Sequence, residues 1–284
     1  MEPNADAPAD NHGWLAALWS AVQRGNHATV KHILDGRNPL LLETICRSPM
    51  FRSMCQVAAR NDHAETVRVL LLHVPVGVSS AIMTEMMSEA ALNDSVCVAQ
   101  FLCGNMDVNA IERGLTPVIK AADRGSTGVL RVLIHAKSSV HMHGDMPLGT
   151  ATTPLHRASS GKGKRGILAM QMLLRAGACV DEEDEYAESP LHSAAYVGNA
   201  RGVALLLRNN ADPTLQSQYD GRTPLHVVAS YDLAHCVASL VCAKSCLRTL
   251  DFRRKTALQI ALAGGNTASA SVLNRKCLCA RCAV

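Results

Sequence analysis

The stretch SPLHSAAYVGNARGVALLLRNNADPTLQSQYD, Ser189 to Asp220, reads as one helix-turn-helix unit. Ser189 supplies a hydroxyl N-cap, and Pro190 sits at the first helical position, where a missing N–H costs nothing. Leu191, Ala194 and Ala195 form a short helix whose small side chains let a neighbour approach closely. Gly198 stops it, because glycine tolerates the left-handed C-terminal position. A second helix runs from Asn199 to about Arg208, with Val203, Leu206 and Leu207 on one face. Asn209, Asn210, Asp212 and Pro213 end it in turn chemistry. Two helices this short cannot bury a core alone. They require copies of themselves on either side.

The copies are present. Thr223-Pro224-Leu225-His226 restarts the unit, Thr153-Pro154-Leu155-His156 opens an earlier one, and Thr116-Pro117 one before that. The hydroxyl-Pro-Leu-His start, the alanine pair, Gly198-Asn199 and Ala211-Asp212 together resemble the ankyrin repeat, with its period of about 33 residues and its T-P-L-H-x-A signature. The resemblance implies an all-α solenoid of stacked helix-turn-helix units joined by short hairpin-like turns.

Composition agrees with that class. Of 284 residues, 48% are hydrophobic, 18% charged and only 3% aromatic, as in helical stacks packed mainly from Leu, Val and Ala. The net charge of +4 is too balanced to argue for nucleic acid. No apolar run approaches the length of a membrane span. The leader EPNADAPADNHG is acidic where a secretory signal would be basic. Eleven cysteines, an odd number scattered over helical positions, point to free thiols in a reducing compartment, cytoplasmic or nuclear.

Aligning each unit on its alanine pair and the following glycine places anchors at Ala16, Ser53, Glu85, Thr116, Thr153, Ser189, Thr223 and Thr256, spaced 31 to 37 residues apart. This gives about eight repeats over residues 13–276, a disordered tail at 1–12 and a short Cys-rich tail at 277–284. The first three anchors lack Thr-Pro. Extra residues at 137–152, and SGKGKRG at 160–166 between the helices of the fifth unit, are expected as loops. The last unit is expected to cap the stack with a polar outer face of Asn266, Thr267, Ser269, Ser271, Asn274 and Arg275.

Chemical motifs are few. His156, His192 and His226 recur one repeat apart, roughly 10 Å, too far to share an ion. The resemblance gives them a structural role, tying the anchor hydroxyl and the turn. Thr116, Pro117, Thr153, Pro154, Ser189, Pro190, Gly198, Thr223, Pro224 and Thr256 are the other structural positions of the motif. Cys277, Cys279 and Cys282 lack the fourth ligand of a structural zinc site, and His141-Met142-His143 is discounted in the same way. Gly161-Lys162-Gly163-Lys164-Arg165 has neither the spacing nor the strand-to-helix context of a phosphate loop. It reads as a flexible basic loop. Asp181 to Glu185 is read as a solvated turn. No nucleophile-and-base constellation stands out, so no catalytic residue, cofactor or metal is expected.

In the family resembled, the turn tips and the ends of the first helices line a concave surface that binds partners. All four tyrosines fall on such positions: Tyr186 and Tyr219 just before an anchor, Tyr196 and Tyr231 seven and eight residues after one. Arg113, Arg124, Glu188, Arg222, Arg253 and Lys255 share the register. The bland alternative is that tyrosine simply avoids a tight Ala/Leu core. The functional reading is an interface, where Tyr and Arg are enriched. The expectation is therefore a monomeric, non-catalytic adaptor that binds another protein through this face, with no small-molecule substrate, nucleic acid or membrane. The alternative is the substrate-recognition subunit of a ubiquitin ligase. Some ankyrin proteins carry a C-terminal SOCS box, and about ten residues after the last helix are too few for one, so this reading requires a box that is lacking or truncated.

Overall fold

The computed structural model describes residues 13–142, 151–161, 163–243 and 247–277. Every regular element among them is a helix, and the helices fall into two compact bodies, residues 1–110 and 111–284.

The N-terminal body holds α1 (Gly13–Gln23), α2 (His27–Asp35), α3 (Pro39–Cys46), α4 (Pro49–Arg60), α5 (Ala64–Leu72), α6 (Val76–Asn93) and α7 (Val96–Cys103). They form three hairpins: α1 with α2, α4 with α5, α6 with α7. The first helices pack in the row α1, α4, α6 and the second in the row α2, α5, α7. Leu18, Phe51, Met54, Leu70, Met86 and Leu102 are fully buried between them.

Here the helix starts differ from the sequence register. Ala16, Ser53 and Glu85 lie inside α1, α4 and α6 and cap nothing. The cap of α4 is Ser48, whose Oγ accepts the Phe51 N–H at 3.3 Å, followed by Pro49 at the first position. Helix α3 is an additional element, opened by Asn38 and Pro39 and packed on α4.

The C-terminal body holds five hairpins. These are α8 (Pro117–Arg124) with α9 (Thr127–His135), α10 (Pro154–Ser160) with α11 (Lys164–Arg175), and α12 (Pro190–Tyr196) with α13 (Ala200–Arg208). Then come α14 (Pro224–Ser230) with α15 (Ala234–Cys242) and α16 (Ala257–Ala263) with α17 (Thr267–Cys277). Each first helix starts after a Thr or Ser cap: Thr116, Thr153, Ser189, Thr223 and Thr256. The first helices again form one row and the second helices another. Leu155, Leu191, Leu206, Val228 and Leu240 are buried between them.

Polar ties sew successive repeats together, in opposite senses at the two sides. On the turn side, Nε2 of each motif histidine donates forward to a carbonyl of the next turn: His156 to Glu188 at 2.9 Å, His192 to Arg222 at 3.1 Å, His226 to Thr249 at 3.1 Å. The Ser189 and Thr223 backbone N–H groups donate to the Nδ1 atoms of His192 and His226, which places the ring proton on Nε2. Burial pushes the His192 pKa down to about 4 and lowers that of His226 as well.

On the side of the inter-helix turn, Asn199 Nδ2 reaches back to the carbonyls of Ser159 and Gly161 at 3.1 and 3.0 Å. Asn266 Nδ2 reaches back to Ala229 and Ser230 at 2.8 and 2.9 Å. Just before these residues the backbone is left-handed, with φ +68° at Gly198 and +69° at Gly265. Asp232 takes that conformation at +55° and uses its carboxylate to accept the Ser269 N–H at 2.8 Å.

Two expectations need revising. Most of the stretch 160–166 is helical rather than loop: Ser160 ends α10, Lys164, Arg165 and Gly166 form the first turn of α11, and Gly166 is buried, while Lys162 lies outside the described residues. The final hairpin is less polar outside than expected, because Ser269 is fully buried and Leu262 is 64% exposed. The segments 1–12, 143–150 and 278–284, which hold nearly all of the two tails and half of the 137–152 stretch, lie outside the described residues.

Candidate partner-binding surface

The turn preceding α12 is held tightly. The Asp184 N–H donates to the Glu188 carbonyl at 2.9 Å, and Ala187 between them is left-handed at φ +52°. One oxygen of the Asp184 carboxylate accepts the N–H groups of Tyr186 and Glu188, each at 2.9 Å. The turn thus fixes where Tyr186 and Glu188 stand.

The structure brings five of the named residues together. Tyr196, the last residue of α12, donates its hydroxyl to Glu188 Oε1 at 2.9 Å. Its ring meets Tyr231, at the end of α14, edge to face with centroids 6.4 Å apart and planes at 66°. Such pairs contribute about 0.5–1.5 kcal/mol beyond their burial. Arg222 Nε lies 3.1 Å from Asp220 Oδ2, in the next turn. Burial and the Glu188 carboxylate hold the Tyr196 hydroxyl protonated. Tyr186 feels the Glu185 and Glu188 carboxylates, which raise its pKa.

Tyr219 stands furthest out, 82% exposed at the tip of its turn. Arg253 and Lys255 are exposed one turn further on; the Lys255 N–H is fixed by Asp251 at 2.8 Å. Arg113 and Arg124 belong to the first hairpin of this body. Arg113 is paired with Glu112 at 3.1 Å, and Arg124 is exposed in the last turn of α8.

Phe252 is a further aromatic of the same register, beside the four tyrosines. It occupies the place relative to Thr256 that Tyr219 holds relative to Thr223, and it is 65% exposed. The repeat register alone would have found it. Its ring covers Gly221, where an added Cβ would come within 2.4 Å of it.

Among the described residues no three His, Cys, Asp or Glu side chains are grouped to hold a metal ion, and no helix is long and apolar enough to cross a membrane. The described cysteines Cys46, Cys55, Cys97, Cys103, Cys179, Cys236 and Cys242 are free thiols.

Residues 191–277 match the family of ankyrin repeats (3 copies). The chain is 30% identical over 184 residues to inversin of Canis lupus familiaris, a match covering 62% of this chain and 16% of inversin. It is 30% identical over 140 residues to ankyrin repeat and SOCS box protein 11 of Danio rerio, covering 47% of this chain and 44% of that protein. The crystal structure of the human ASB11 ankyrin repeat domain superposes with a TM-score of 0.67 at 22% identity, covering 81% of this chain and 98% of that domain. The chain therefore spans less than half the length of either curated relative.

Proposed function

The chain is built of ankyrin repeats, and from that premise we propose that it is a non-catalytic adaptor binding another protein through the concave face of the stack. The contact residues are the turn tips and first-helix ends of the C-terminal body: Tyr186, Glu188, Tyr196, Tyr219, Arg222, Tyr231, Arg253 and Lys255, with Arg113 and Arg124 at its first hairpin. The carrying observation is the exposed Tyr196–Tyr231 pair, which joins two successive repeats and is fixed through Tyr196 to Glu188. Rigid aromatic side chains on a rigid scaffold lose little freedom on binding. The protein acts as a monomer in the cytoplasm or nucleus.

The test is affinity purification from cells with mass-spectrometric identification, using the intact protein beside a Tyr196→Ala, Arg222→Ala, Tyr231→Ala variant of unchanged helicity. A partner enriched by the first and lost by the second supports the reading. A partner that survives the triple change removes this surface as the site.

A second reading is the substrate-recognition subunit of a ubiquitin ligase. Its support is the likeness, in sequence and in fold, to the SOCS-box protein and its ankyrin domain. Co-purification with the ligase's elongin subunits tests it, and their absence removes it.

A further inference from the structure

Glu188 differs from the acidic residues around it. Asp184 spends one carboxylate oxygen on two backbone N–H groups. Asp220 accepts the Ser217 hydroxyl at 2.9 Å and the Arg222 N–H at 3.1 Å, and its other oxygen faces the Arg222 guanidinium. Both therefore serve their own turns. Glu188 accepts one hydrogen bond, from Tyr196, and among the described residues no lysine, arginine or histidine forms an ion pair with its carboxylate. It is partly buried, and its backbone is tied on both sides, to Asp184 and to His156.

A partly buried carboxylate without a cation is costly. Burial raises the Glu188 pKa, and the charges of Asp184 and Asp220 raise it further. The nearby cation, Arg222, is already engaged by Asp220. Tyr196, hydrogen-bonded to Glu188, meets Tyr231 ring to ring, and tyrosine faces attract cations. A negative group, aromatic faces and a pre-set backbone together make a receptor for positive charge. Exposed apolar surface elsewhere, such as Leu262 on the last hairpin, carries no comparable indication of its occupant.

We propose that Glu188, together with the Tyr196–Tyr231 pair to which Tyr196 joins it, seats a lysine or arginine side chain of the partner protein. The inference rests on the adaptor reading above and adds the chemistry of the partner. The cation completes the ion pair that Glu188 lacks, while its alkyl stem lies on the tyrosine rings. Arg222 stays with Asp220 and sets the edge of the seat.

The probe is a random twelve-residue peptide library selected on the intact protein. Selected peptides are then synthesised and their affinity measured by fluorescence anisotropy. Binders are expected to carry a common Lys or Arg. Replacing it by norleucine or citrulline should weaken binding about tenfold or more. Glu188→Gln should cause the same loss, and the replacement should cost nothing further in that variant, as coupled partners require. Helicity and melting temperature of Glu188→Gln, which keeps the size of the side chain, control for folding.

Selected peptides without a common cation, or a Glu188→Gln affinity within about twofold of the intact protein, overturn the proposal. So does a selection that yields no binder. Binding kept by Glu188→Gln but lost by the triple variant leaves the adaptor surface standing and removes only the cation seat. Binding kept by both removes the surface itself.

Discussion

The imidazole Nε2 of His192 lies 3.1 Å from the carbonyl oxygen of Arg222, although 30 residues separate them in sequence. The ring is fully buried, and its neutral form is what the fold holds. In the unfolded chain the same histidine takes up a proton near pH 6.5. Between that value and about 4 the unfolded state binds more protons, so stability falls as the pH is lowered through this window. The loss is on the order of 3 kcal/mol once the window is crossed. Urea melts at pH 7.5, 6 and 5 should show it, and His192→Gln should flatten the dependence. An equally steep dependence in the variant would assign it to other groups.

Asn266 ties the last hairpin to the one before it through two carbonyls. Asn266→Ala leaves both without their side-chain donor, at a cost of about 1–3 kcal/mol. Hydrogen exchange should quicken in α17 and α15 first, and unchanged protection there would refute the tie.

Gly221 is left-handed at φ +69° beneath the ring of Phe252. Gly221→Ala adds backbone strain and a methyl group where the ring lies, for a loss of about 1–3 kcal/mol. Adding Phe252→Ala should recover part of this by removing the clash. Thermal melts of the single and double variants measure the coupling, and strictly additive costs would exclude the contact.

The thiols should divide by burial. Cys97, Cys179 and Cys242 are exposed, whereas Cys46, Cys55 and Cys236 are buried, with the Cys46 pKa pushed up to about 11. Mass spectrometry after brief alkylation at pH 8 should find the first three modified. The others should react only as fast as the protein opens. Rapid labelling of Cys55 would contradict the packing of α4.

The sequence was most readable where a local signal coincides with a repeat boundary. From Thr116 onward a hydroxyl, usually followed by proline, marks each first helix, and the structure starts its helices there. At Ala16, Ser53 and Glu85 the alignment followed the inter-helix turn, which fixes where a first helix ends. It does not fix how far that helix extends backward, and α1, α4 and α6 each begin earlier. Ser48-Pro49 and Asn38-Pro39 did carry the missing start signals, the second of them opening α3. The Ser269 hydroxyl suggests exposure, yet the residue is fully buried. Its backbone partner, Asp232, lies 37 residues away, beyond any local pattern. The tyrosine register was legible, but the bond from Tyr196 to Glu188 depends on a turn geometry that only the folded chain displays.

The opposed ties between repeats also bear on mechanical load. Histidines hold three of the joints from one side, and at two of these an asparagine grips from the other. Because repeats of this kind touch only their neighbours, a pull on the ends of the C-terminal body meets these joints in series. The body then yields hairpin by hairpin. Each event releases one repeat of about 33 residues, roughly 110 Å of extended chain, and extension under force is a regular sawtooth rather than one rupture.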